Sequence, residues 1–386
     1  MIEVSQRLKE LPPYLFLEID KAKRKAREEG RDIIDFGVGD PDQPTPEHII
    51  KKMQEAVLDP ANHRYALDQG MPVLRQAICD WYAGRFGVRL DPDNEVLPLI
   101  GSKEGIAHLP LAFINRGEYS LVPDPCYPPY KGGTILAEGK VYPLPLKEDN
   151  AFLPDLKKIP LRVLRKARLI YINYPNNPTA AVAGLDFYQE VVRFCRKYKI
   201  LAVSDAAYSE LSFDGFSPPS FLQLDGAKEV GIEFHSLSKT FNMTGWRIGW
   251  VCGQSSAVSA LAKVKSNIDS GIFSAIQVAG VAALKGDMGF LDKMRSLYKQ
   301  RRDLLVEGLK GLGWQLNSPK ATFYLWIKVP LKMDSISFSR MLLEKADIVV
   351  TPGVGFGKYG EGYIRMALTV NEGRIQEAIT RLKKIT

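Results

Sequence analysis

From about residue 96 the chain alternates short apolar runs with amphipathic stretches, and that rhythm restricts its fold more than any other feature. Val96 to Ile100, Tyr119 to Pro123, Lys140 to Leu144, Arg168 to Asn173, Ile200 to Ser204, Ile232 to Phe234 and Arg247 to Cys252 read as strands. Helical spacing separates some of them: Ile106 to Ile114, and residues 185–198 with Phe187, Val191, Val192 and Cys195 on one face. Strands that are apolar throughout need cover on both faces, and intervening helices supply it while letting the strands run parallel. The expected class is therefore α/β, a mainly parallel sheet between helices.

The rhythm changes near residue 285. A long charged helix over about 287–311 leads to an alternating strand, Ala321 to Val329, and a helix at about 336–346. Short strands at 348–350 and 363–368 and a last helix from Asn371 complete an α+β unit. At the other end, a helical pattern closes at Gly30, and Ile33 to Asp42 is a short strand entering a Gly/Asp/Pro loop. Thr45 is expected to cap the next helix, with Pro46 in its first position. The expected division is a large domain over 46–285 and a small one built from 1–45 and 286–386. A chain of 386 residues, 45% hydrophobic, has the apolar content for both cores.

The net charge of +8 raises the question of nucleic acid. Lys and Arg are interleaved with acids, as in Lys21 to Glu29, which reads as a solvated helix face, and small anions suit the charge as well. Four scattered cysteines have no metal-ligand spacing and fit a reducing compartment. The first residues carry no apolar targeting run, and no stretch approaches the roughly 18 apolar residues of a membrane span. The expectation is a cytoplasmic enzyme acting on small molecules, with no metal, nucleic acid or membrane partner.

Ligands of open parallel sheets sit beyond the carboxyl ends of the strands. Ser102, Lys103, Tyr127, Asn177, Asp205, Ser236, Ser238 and Lys239 all fall at such ends. Lys239, beside two serines and eight residues before Arg247, is suited to a Schiff base with an aldehyde cofactor whose phosphate the hydroxyls and guanidinium would hold. Gly101-Ser102-Lys103 opens a helix whose free N–H groups suit the same phosphate. Asp205 closes an apolar strand, where a carboxylate needs a partner such as a pyridinium N–H. Tyr208 would reach a ring oxygen, Tyr127 would stack on a ring, and Arg365 would grip a carboxylate in two-pronged fashion. Taken singly, each has an ordinary reading as a cap, a core aromatic or a surface ion pair. Their common position at strand ends is too coherent for loop composition alone, and each has a physical task if the ligand is a phosphorylated pyridine aldehyde.

In order, Gly37-Val38-Gly39-Asp40-Pro41, Tyr65 with Gly70 and Leu74-Arg75, Gly101-Ser102-Lys103, Tyr127, Asn177-Pro178-Thr179, Asp205-Ala206-Ala207-Tyr208, Ser236-Leu237-Ser238-Lys239 with Arg247, and Arg365 resemble the pyridoxal-phosphate aminotransferases of classes I and II over nearly the whole chain. The resemblance implies fold type I, a seven-stranded sheet in the large domain, pyridoxal 5'-phosphate as cofactor, and ping-pong exchange between an amino acid and a keto acid. It makes Lys239 the Schiff-base lysine, Asp205 the partner of the ring nitrogen, and Asn177 and Tyr208 the groups on the ring oxygen. Tyr127 becomes the stacking aromatic. Ser102, Lys103, Ser236 and Arg247 form the phosphate cup, with Tyr65 reaching in from the second subunit of a homodimer. Arg365, near the Gly39 backbone, becomes the α-carboxylate ligand. One departure is Ala180, where the family usually has glycine; it is expected to matter only if the backbone there is left-handed.

Within that family, Leu11 to Phe16, Gly101 to Gly105, Tyr174 to Ala183 and Lys265 to Gly271 resemble the LL-diaminopimelate aminotransferases, enzymes of lysine biosynthesis. That likeness implies substrate contacts from Tyr14, Lys103 and the partner's Asn267, with 2-oxoglutarate as the second substrate. Asp68 stands where an acidic residue would meet the distal ammonium, one methylene shorter than the glutamate often found there. The alternatives are an aspartate, alanine or aromatic aminotransferase, a C–S lyase on the same scaffold, and a cofactor-sensing regulator module.

Overall fold

The computed structural model describes residues 2–12, 15–66 and 68–385, and of residues 15–18 the backbone. In chain order its strands are β1 (Ile34–Asp35), β2 (Val96–Leu99), β3 (Tyr119–Asp124), β4 (Lys140–Pro145), β5 (Ala167–Ile172), β6 (Leu201–Asp205), β7 (Gly231–Ser236), β8 (Gly249–Gly253), β9 (Tyr324–Lys328), β10 (Ile348–Val349), β11 (Thr351–Pro352) and β12 (Tyr363–Ala367). Seven of them form one sheet in the order β2-β8-β7-β6-β5-β3-β4. All its pairings are parallel except the two that β8 makes, with β2 and with β7. A strand antiparallel to both neighbours leaves those neighbours parallel to each other. The carboxyl ends of β2, β3, β5, β6 and β7 therefore share one edge.

Side chains that alternate along a strand go to opposite faces, and both faces are dry here. Leu169 and Tyr171 join Val203, Phe234 and Val251 in one core. Ile170 and Ile172 join Ala202, Trp250 and Cys252 in the other. Each fully buried large apolar side chain contributes on the order of 2 kcal/mol. Helices cover both faces, among them Ser102–Phe113, Leu185–Tyr198, Ser255–Lys265 and Ser274–Lys285.

A third core is built from the C-terminal elements. There β11, β12 and β9 form an antiparallel sheet in which Arg365 is opposite Trp326. β1 pairs with β10 in parallel, so the N-terminal segment joins this second unit, and Ile34 and Phe36 are buried in its core. Arg301, on the long helix Gly289–Gly311, ties the two ends of the chain together. It donates to Asp42 at 2.8 and 2.9 Å and to Glu372 at 3.1 Å.

One expected cap is absent. The helix Glu47–Leu58 has Pro46 at its cap position, with no side-chain cap. The Thr45 hydroxyl donates instead to the Asn242 carbonyl at 2.9 Å. That buried bond fastens the segment before the helix to the segment after Lys239, a tertiary use that overrides the local one. All four cysteines are buried and unpaired. Among the described residues no helix is long and apolar enough to cross a membrane, and no group of His, Cys, Asp and Glu is arranged to hold a metal.

Candidate active site

Where the parallel strands end, a cavity of about 520 Å3 opens between the large sheet and the smaller one. β2 leads through Gly101 to Ser102 and Lys103, β6 ends on Asp205, and β7 ends on Ser236. Tyr324 comes from β9 and Arg365 from β12, on the opposite wall. The Gly39 loop closes the cavity from the N-terminal side.

At one end the groups suit an anion. Ser102 starts the helix Ser102–Phe113, and its cap residue Gly101 supplies no side chain to the first N–H groups. Arg247 has a left-handed backbone, φ 56°, and donates to the Thr244 carbonyl at 2.8 Å. Its guanidinium lies so close to Gly101 that a Cβ there would meet Nη2 at 2.3 Å, and Gly101 itself has φ 75°. Only glycine meets both demands. Ser236 accepts from the Ser238 N–H at 3.1 Å, which leaves its own hydroxyl proton to donate.

Lys239 sits on the one-turn helix Leu237–Thr240, and its amine donates to the Gly39 carbonyl at 2.8 Å. Burial lowers the amine from an ordinary 10.5 to about 8; Asp40 opposes that, while Arg365 and Arg247 add to it. Asp205 also lines the cavity and is buried. Burial raises its carboxyl to about 6, against the hydrogen bonds from Tyr130 and from the Ala207 N–H. The Tyr130 hydroxyl donates to Oδ2 at 2.6 Å, and Asn173 fixes the same residue by donating to its backbone carbonyl at 2.7 Å.

Arg365 is held before any ligand arrives. Nη1 donates to Asn177 Oδ1 at 2.8 Å and Nη2 to the Gly37 carbonyl at 2.9 Å. Its guanidinium lies 4.2 Å from the Tyr324 ring centre and 4.8 Å from that of Phe356. Its Nε–H is buried and has no partner among the described residues, as a group kept for a ligand would be.

Gly39, Ser102, Lys103, Tyr127, Asn177, Asp205, Tyr208, Ser236, Ser238, Lys239, Arg247 and Arg365 thus meet around one cavity. Tyr65, Asp68 and Asn267 do not line it; Tyr65 is 91% exposed, and Asn267, just past the helix Ser255–Lys265, donates to the Lys263 carbonyl. Tyr14 lies outside the described residues. Ala180 does have a left-handed backbone, φ 56°, so the departure from glycine has a conformational consequence. Sequence reasoning missed Tyr324 and Phe356 in the wall and Tyr130 behind Asp205. None of the three stands at a strand end of the large sheet or in the motifs that carry the family resemblance.

A larger hollow, about 810 Å3, is lined by Trp81, Arg85, Glu210, Phe213 and Arg295 among others. Glu210 at its floor already accepts from Arg85 at 3.0 Å and from Arg295 at 2.9 Å. Its buried charge is matched within the protein. The smaller cavity instead offers an amine of lowered basicity, a destabilised carboxylate and an unused guanidinium N–H. That donor set fits a phosphorylated pyridine aldehyde together with a carboxylate.

Residues 31–382 match the family described as aminotransferase class I and II. The LL-diaminopimelate aminotransferase of Halothermothrix orenii is 57% identical over 99% of this chain and 98% of its own length. The Moorella thermoacetica enzyme of the same name is 55% identical over 100% and 98%. A substrate-bound BacF structure from Bacillus subtilis superposes with a TM-score of 0.96 at 38% identity, over 100% of this chain and 98% of that one. The chain is therefore a transaminase and belongs to the class I and II aminotransferases, a family that in general depends on pyridoxal phosphate.

Proposed function

We propose that this chain is an LL-diaminopimelate aminotransferase. In this reading it binds pyridoxal 5'-phosphate and moves an amino group from LL-diaminopimelate to 2-oxoglutarate, yielding glutamate and, after cyclisation, tetrahydrodipicolinate. The observation that carries the substrate assignment is the full-length identity of 57% to a relative of that name.

The cavity gives each residue a task. Ser102, Lys103, Ser236, Ser238 and Arg247 hold the phosphate, with the helix N–H groups behind them. Asp205 faces the ring nitrogen, and a cationic N–H there offsets the burial that raises its carboxyl. Asn177 spends Oδ1 on Arg365, which leaves its Nδ2 to donate to the ring oxygen beside the Tyr208 hydroxyl. Tyr127 covers a ring face. Bound pyridoxal phosphate supplies the electron sink for the charge left on the substrate α-carbon. Arg365 directs its free Nε–H to the α-carboxylate and so fixes the α-carbon relative to Lys239. Lys239 Nζ removes the α-proton and returns it, a task that a buried amine with a pKa near 8 performs better than a solvated one.

Substrate length is read by Tyr14 and Lys103 of one chain and by Asp68 and Asn267 of another. Tyr65, Asp68 and Asn267 are exposed on their own chain, so the reading includes a homodimer in which they complete the neighbour's cavity.

The test is an amino-donor panel with 2-oxoglutarate. LL-diaminopimelate should turn over far faster than aspartate, tyrosine or alanine. A preference for any of those three would reassign the substrate, and pyruvate release from cystathionine without a keto acid would identify a C–S lyase.

A further inference from the structure

The small sheet touches the cavity through a side chain that the tasks above leave out. Tyr324, on β9, is 2% exposed and lines the wall. Its hydroxyl lies 2.9 Å from that of Tyr208. Its ring lies beneath the Arg365 guanidinium, 4.2 Å from centre to carbon. Its hydroxyl also occupies the space above Gly39, where a Cβ would meet it at 2.0 Å, and the Gly39 carbonyl is the acceptor for Lys239. One phenol therefore touches the groups at the ring oxygen, at the carboxylate arginine and at the lysine.

Core filling explains the ring, which packs on Phe323 at 4.8 Å and Tyr208 at 5.6 Å. It does not explain the hydroxyl, since phenylalanine would fill the same volume without a polar atom to satisfy. Among the described residues, neither phenol has another hydrogen-bond partner. The pair holds two protons, and one is used in the mutual bond. If Tyr324 donates it, the Tyr208 proton is left to point into the cavity, and a phenol that accepts one hydrogen bond donates a stronger one.

We propose that Tyr324 is a positioning residue: its hydroxyl directs the Tyr208 proton at the cofactor oxygen, and its ring seats Arg365 for the substrate carboxylate. The inference rests on the proposed cofactor-dependent function. It assigns the two jobs to different parts of one side chain, so substitutions separate them. Tyr324→Phe removes the hydroxyl and keeps the ring; Tyr324→Leu removes both.

The experiment is a double-mutant cycle of Tyr208→Phe and Tyr324→Phe, read first on the dissociation constant of pyridoxal phosphate, measured by fluorescence quenching of the cofactor-free protein. Tyr324→Phe should weaken cofactor binding about three- to tenfold. In the Tyr208→Phe background the same change should do almost nothing, because the proton it directs is gone. The second reading is KM for the amino donor, expected to stay within about twofold in Tyr324→Phe and to rise about tenfold in Tyr324→Leu. Thermal unfolding of the cofactor-free variants reports whether each is folded, and a folded Tyr324→Phe alone suffices for the first reading. Additive effects on cofactor affinity, with wild-type binding intact, would overturn the positioning role and leave the functional reading standing. A wild-type protein that does not bind pyridoxal phosphate would overturn both.

Discussion

Burial raises the Asp205 carboxyl from an ordinary 3.8 to about 6, so the folded chain holds that proton more tightly than the unfolded one. The sign follows. Stability falls as pH rises from 3.8 to 6, and above 6 the cofactor-free protein carries the full cost of a buried anion, on the order of 3 kcal/mol. Asparagine has the same shape, keeps an acceptor for Tyr130 and carries no charge. Asp205→Asn in the cofactor-free protein should therefore melt higher than wild type at about pH 8, with the gain gone by about pH 4. A variant less stable than wild type at the higher pH would show that the carboxylate is not under strain. Lys239 and Asp205 were visible in the sequence because each follows an apolar strand and breaks its pattern. Tyr130 and Tyr324 were not. One sits inside a helix and the other opens a short strand, and an aromatic in either place carries no mark of what its hydroxyl meets.

The turn after β5 shows what an element adds to its residues. Asn173 Oδ1 accepts from the Asn177 N–H at 2.8 Å, and Asn176 Oδ1 accepts from the N–H and hydroxyl of Thr179. Ala180 then returns its N–H to the Asn176 carbonyl with φ at 56°. This frame delivers Asn177 to Arg365. The left-handed backbone costs an L-residue about 1 kcal/mol, and losing one buried methyl costs slightly less. Ala180→Gly should thus raise the unfolding free energy by a few tenths of a kcal/mol, while Ala180→Val should lower it by about 2, both by urea titration. A valine variant as stable as wild type would mean the turn relaxes. At this scale strands and amphipathic helices were legible from period alone. The helices Ser255–Lys265 and Ser274–Lys285 were not, because small and apolar residues occur on all their sides and leave no stripe. The Thr45 cap failed for the opposite reason: a good local signal lost to a buried tertiary bond.

At the scale of the molecule, the proposed function draws on a second copy of the chain. The cavity assembles cofactor-side residues from β2, β6 and β7, and substrate-side residues from β9 and β12. Tyr65 is 91% exposed on its own chain and does not line that chain's cavity. In the proposed homodimer each cavity takes Lys239 and Arg365 from one chain and Tyr65 from the other. Lys239→Ala damages a chain's own cavity; Tyr65→Ala damages its partner's. A hybrid of the two variants carries both lesions in one cavity and none in the other. Random reassortment makes half the dimers hybrids, each with one sound site, so mixed and refolded variants should recover about one quarter of wild-type activity. Lys239→Ala mixed with Arg365→Ala should recover none, since both lesions stay with their own chain and every cavity keeps one. Recovery in the first mixture alone, from two parents each inactive by itself, requires the site to be shared; silence from both would put the Tyr65 lesion in its own chain's cavity, and a Tyr65→Ala variant active by itself would return Tyr65 to the status of a surface side chain.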